Sequence, residues 1–119
     1  MRFLIFLFLF TVSNAALAGY DLHITRKNNW ADKEGAKITF AEWSRYVQRD
    51  KEIQHDSQNS ENAFIVSVDG ETFAIWYDPR LEELSTKNPS DAAIEKMKRI
   101  ATQLKARVQG DDGELYPEK

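Results

Sequence analysis

The chain has 119 residues, with 16 Lys or Arg against 19 Asp or Glu, a formal charge of −3, and no cysteine. That balance argues against nucleic acid or an anionic membrane surface as partner, since both select clustered Lys and Arg. The missing thiols exclude disulfides and thiolate-held structural zinc, so packing alone must hold a single domain of this size.

The opening MRFLIFLFLFTVSNAALA carries one charge, Arg2, then an apolar run over residues 3–10, a polar break at Thr11, Ser13 and Asn14, and the small-x-small close Ala16-Leu17-Ala18. This layout predicts a secretory signal peptide over residues 1–18, cleaved after Ala18, with one domain over residues 19–119. The apolar run is shorter than the roughly 20 residues a spanning helix needs, so no stable membrane insertion is expected after cleavage. An uncleaved N-terminal anchor is the rival reading. Without a cysteine after the small residues a lipid anchor is excluded, and the expected location is the periplasm or the medium.

YDLHITR alternates, with Tyr20, Leu22 and Ile24 on one face and Asp21, His23 and Thr25 on the other, which predicts a half-buried strand. A polar loop carrying Trp30 follows. In ITFAEWSRYVQRD, Thr39 and Glu42 stand at capping-box spacing, and Phe40, Trp43, Tyr46 and Val47 form an aromatic helix face. DKEIQHDSQNSEN offers only Ile53 for burial and predicts a solvated connection. AFIVSVDGETFAIWYD reads as a hairpin around Asp69-Gly70, a pair suited to a type I′ turn. That turn sets Val68 opposite Glu71, Val66 opposite Phe73 and Phe64 opposite Ile75 on one apolar face. The other face pairs Ser67 with Thr72, Ile65 with Ala74 and Ala63 with Trp76.

DPRLEELSTKNP predicts a turn and a short edge strand over residues 81–85. Asn88 can cap a second helix, with Pro89 at its first position and Asp91 in its first turn. Ile94, Met97, Ile100, Ala101 and Leu104 make that helix amphipathic. VQGDDGELY predicts a terminal hairpin. The expected class is therefore α+β, two helices packed on a mostly antiparallel sheet in a single small domain.

Chemistry-bearing patterns are sparse. Asp111, Asp112 and Glu114 are too bunched for an EF-hand, and a turn explains GDDG better than a cation site. His23 and His55 share no H-x-x-x-H or H-x-H spacing, so no metal site is expected. Neither a nucleophile elbow nor a phosphate loop occurs, and no catalytic residue or cofactor is assigned. Asp21, His23, Asp112 and Glu114 can form a polar cluster if the terminal hairpin lies beside the first strand. Trp76, Ile65, Trp30 and His23 are the candidate partner-binding residues, Trp76 because the hairpin register puts it on the less apolar face.

YDLHITR and NPSDAAIEKMKRIATQLKARVQGDDGELY together resemble the ends of a group of small, mostly uncharacterised bacterial proteins with a YDLHITR-like first strand, a Trp-containing first helix and a C-terminal VQGDDGE-like segment. The likeness spans about residues 20–116. It brings no activity, cofactor or catalytic residue, and the leader here departs from the group's pattern.

The expectation is an exported, periplasmic protein-binding module with a protein partner, no nucleic acid and no cofactor. One form of it is an immunity protein neutralising an envelope-targeting toxin, since small acidic α+β proteins often serve that role, an analogy at fold level. Two alternatives stay open: a small envelope hydrolase with a polar site around His23, and a sugar- or peptidoglycan-binding module.

Overall fold

The computed structural model describes residues 19–117, so the predicted signal peptide and its cleavage site lie outside the described residues. The elements run β1 (Asp21–Thr25), α1 (Phe40–Arg49), β2 (Ile53–His55), β3 (Ala63–Val68), β4 (Glu71–Asp78), β5 (Glu83–Lys87), α2 (Asp91–Gln103) and β6 (Arg107–Gly110). All pairings are antiparallel, and the six strands lie in the order β2-β3-β4-β5-β1-β6. Two helices on an antiparallel sheet make the domain α+β. No helix of the described residues is long and apolar enough to cross a membrane.

Local chemistry explains the helices. Thr39 accepts a hydrogen bond from the Glu42 amide while the Glu42 carboxylate reaches back to the Thr39 amide, the reciprocal capping box. Arg26 clamps the same Glu42 with two guanidinium nitrogens, and that hydrogen-bonded contact holds its carboxyl below the ordinary value. Helix α2 is capped by Ser90, whose hydroxyl accepts from the Ala93 amide. Asn88 does not cap the helix. At φ 47° it turns the chain, and its side-chain oxygen accepts from the Tyr20 amide.

Trp43, Met97 and Ile100, fully buried, press from the helices onto Ile24, Val66, Ile75 and Leu84 of the sheet. The Trp43 ring meets Phe64 edge-on at 5.3 Å. Burying this much apolar surface is the main stabilising term. Lys96 of α2, 4 % exposed, is held by Asp50 at 2.8 Å and Glu52 at 2.7 Å, and Tyr46 donates to the same Asp50 carboxylate. Burial raises the Asp50 carboxyl, but Lys96 and Tyr46 outweigh it and keep the group below its ordinary value.

The β3–β4 hairpin has the register its Asp69-Gly70 turn dictates, with both turn residues at positive φ, 52° and 80°. Three expectations are corrected. The segment after α1 contains β2, which pairs Ile53 with Val66 and leaves Ile53 buried. The strand over residues 83–87 is interior, between β4 and β1, because β1 inserts beside it. And β1 is covered on both faces rather than one, with His23 and Thr25 buried as well as Leu22 and Ile24.

Candidate functional site

The cover over the second face of β1 is the loop of residues 26–37. Lys27, 2 % exposed, anchors it by donating from Nζ to the carbonyls of Asp32 at 2.5 Å and Leu81 at 2.9 Å. The same ammonium stands 3.3 Å from Glu83 Oε1, yet no well-aligned hydrogen bond reaches either Glu83 oxygen. Burial therefore wins over the pull of Thr25 and Lys27 and pushes the Glu83 carboxyl up to about 7. Beyond the loop the chain crosses to the helix side, where the Ile38 amide donates to the Glu82 carbonyl and Tyr77 Oη donates to the Ile38 carbonyl.

Trp30 is the tip of this cover. Its backbone amide donates to Gln109 Oε1 at 2.8 Å, and Gln109 Nε2 donates to the Asn28 carbonyl at 2.9 Å. Its indole Nε1 donates to the Asp111 carbonyl at 3.1 Å. These three bonds lay the indole flat on the His23 ring, 3.8 Å between centroids and 4° between planes. Beneath it His23 Nε2 meets Asp111 Oδ1 at 2.9 Å, and Asp111 Oδ2 accepts from the Asp21 amide at 3.0 Å. Burial acts to raise the Asp111 carboxyl, but the Asp21 amide, the His23 ring and the charge of Lys87 hold it below the ordinary value.

The terminal segment closes on itself through a bridge between Gln109 and Leu115. Glu114 accepts from the Tyr20 hydroxyl, and a Cβ at Gly110 would collide with both. A larger residue there would have to displace both side-chain ends and break their contact. YDLHITR and VQGDDGELY are thus the two halves of one structural joint.

The expected polar cluster forms with a different acid. Asp21 and His23 are brought together by Asp111, whereas Asp112 points to solvent and Glu114 serves Tyr20. In register, Ser85 faces His23 across β1–β5, which sets Asp111, His23 and Ser85 in the order of a hydrolytic triad. No hydrogen bond joins Ser85 to His23, and the ring is 5 % exposed under an indole, so a substrate has no path to it. Among the described residues no group of three or more His, Asp or Glu is placed to hold a metal.

The partner-binding candidates divide. Trp76 and Ile65 sit half-buried on the part of the second face that the loop leaves open, alongside Ala74 and the exposed Ser67 and Thr72. Trp30, also half-buried, lies over His23 at the β1–β6 side instead. His23 lies below the surface and offers nothing to a partner. Sequence reasoning missed Asp111 and the exposed Phe40. For Asp111 a signal existed, because the residue immediately after β6 is the one level with Asp21. No family model, curated protein or solved structure matches the chain.

Proposed function

We propose that this protein is an exported binding module that docks a protein partner, in the manner of an immunity protein facing an envelope-targeting toxin. The observation that carries the reading is the open half of the second sheet face, where Ile65, Ala74 and Trp76 form an apolar centre ringed by Ser67, Thr72 and Gln54. An apolar centre with a polar rim is the usual anatomy of an interface, and tryptophan is the residue that most often dominates one. The Asp111–His23 pair supports binding over hydrolysis, since its groups are spent tying β1 to the terminal turn.

The leader-like N-terminus motivates placing the partner in the envelope. The acidic balance of the chain suits a basic partner, with charge raising the association rate and Trp76 slowing dissociation. Pull-down from envelope extract at low and moderate salt tests this. A stoichiometric protein captured by the wild type and lost in Trp76→Ala supports it; capture that is indifferent to Trp76→Ala and Ile65→Lys overturns the assigned face. Saturable quenching of tryptophan fluorescence by peptidoglycan fragments, with no protein recovered, would replace the protein partner with a glycan.

A further inference from the structure

A second surface lies at the β2 edge of the sheet, on the helix side, away from Trp76. Strand β2 ends the sheet, and its outer side has no neighbouring strand among the described residues. The Glu52 carbonyl accepts from Ser67 and the Asp56 amide donates to Ala63, so the even-numbered residues of this stretch face β3. Ile53 and His55 consequently turn their backbone groups outward. The Ile53 amide is taken by the Asp50 carbonyl in the preceding turn. That leaves the Ile53 carbonyl and both backbone groups of His55 as an open row, able to pair with one further strand.

Beside this row is an aromatic groove. Phe40, 39 % exposed, stands edge-on to Tyr77 at 5.3 Å, and the His55 ring stacks on Phe64 at 4.8 Å. His55 Nε2 lies 2.9 Å from the Glu61 carbonyl, which fixes the ring as a wall. Two adjoining cavities share Phe40 and His55. One, about 420 Å³, reaches Tyr77, Pro79 and Glu61; the other, about 190 Å³, reaches Val47, Phe64 and Gln48. Among the described residues Glu61 is the one acid lining them, and no Lys or Arg does.

We infer that this edge binds an extended segment of a partner protein by strand addition, seating a large apolar side chain against Phe40 beside a Lys or Arg that meets Glu61. Main-chain pairing supplies affinity in such complexes, and pockets for alternate side chains supply selectivity. The open backbone row requires an extended chain. The aromatic walls call for an apolar side chain, and the lone carboxylate selects a basic neighbour. Because β2 is only three residues long, the pairing is short and the affinity modest. The inference stands whether or not the Trp76 face binds anything.

The test titrates the purified protein with the synthetic peptide acetyl-Thr-Lys-Val-Phe-Val-Lys-Thr-amide, followed by amide chemical shifts. Three controls accompany it: Phe replaced by Ser, both Lys replaced by Glu, and alternate backbone nitrogens methylated on the pairing edge. Shifts centred on residues 53–56 and Phe40, with binding weakened roughly tenfold or more by each control and by Phe40→Ser, support the inference. The Phe40→Ser spectrum away from the groove should be unchanged, since that ring lies outside the buried core and touches it through Tyr77 and Phe64. Equal binding of the methylated peptide, shifts centred elsewhere, or no binding up to about 1 mM overturns it.

Discussion

Asp111 Oδ1 lies 2.9 Å from His23 Nε2 while Oδ2 accepts from the Asp21 amide, so one carboxylate ties the first strand to the turn after the last. Its neighbour Asp112 makes no such contact and faces solvent. Asp111→Ala should therefore cost about 1–2 kcal/mol, the range for a partly exposed charged hydrogen bond. Asp112→Ala should stay within about 0.5 kcal/mol. Urea denaturation of the two variants measures both. Because the Asp111 carboxyl is held below its ordinary 3.8, its contribution is present above that pH and fades as acid protonates the folded state. The deficit of the alanine variant should shrink accordingly in acid.

Glu83 has the opposite sign. Its carboxyl is pushed from 4.5 up to about 7, so the folded state holds a proton that the unfolded chain has released. The stabilisation from this group is complete below about pH 4.5 and is lost as pH rises through about 7. Glu83→Gln stays neutral throughout. Relative to the wild type, the variant should gain stability between about pH 4.5 and pH 8, read from denaturation midpoints across that window. A difference that stays flat over the window would show that Lys27 keeps Glu83 ionised.

Lys96 is the buried cation of the α1–α2 junction, with Asp50 only 11 % exposed beside it. Lys96→Met should cost about 3–5 kcal/mol, mostly because it leaves the Asp50 carboxylate buried without its counter-charge. Glu52 is 45 % exposed, and Glu52→Gln should cost less than about 1 kcal/mol. Thermal unfolding of the two variants separates the partners.

Helix α2 ends with Lys105 at φ 56°, a left-handed position, while the Ala106 amide donates to Ala101 and the Lys105 amide to Thr102. Those two bonds form the Schellman ending, which glycine fills without strain. Lys105→Gly should raise stability by about 0.5–1 kcal/mol, as relief of the side-chain clash exceeds the added freedom of the unfolded chain. Calorimetry would register this as a higher melting temperature.

What the sequence made legible is what short-range chemistry dictates. Asp69-Gly70 set the hairpin register residue by residue, Thr39 and Glu42 marked the start of α1, and the stripe of Ile94, Met97 and Ile100 found the core side of α2. What escaped depends on distant pairing. Strand β1 looked half-buried because Asp21, His23 and Thr25 are polar; their covering loop becomes visible only once Trp30 is seen bonded to Gln109 and Asp111, about eighty positions away. The choice between Asp111 and Asp112 was one residue of register, fixed by the pairing of Leu22 with Gly110, which becomes usable only once β6 is known to lie beside β1. Ser90 displaced Asn88 as cap because Asn88 was already bonded to Tyr20.

Strand β1, the first of the six strands in chain order, lies between β5 and β6, the last two. Its pairing with β5 needs residues 84–87, and its second ladder cannot form until residues 107–110 have left the ribosome. Strands β2 to β5 can pair with one another earlier, but the β1 edge stays open until β6 arrives. The strand order therefore defers closure of the sheet to the last of its strands to emerge.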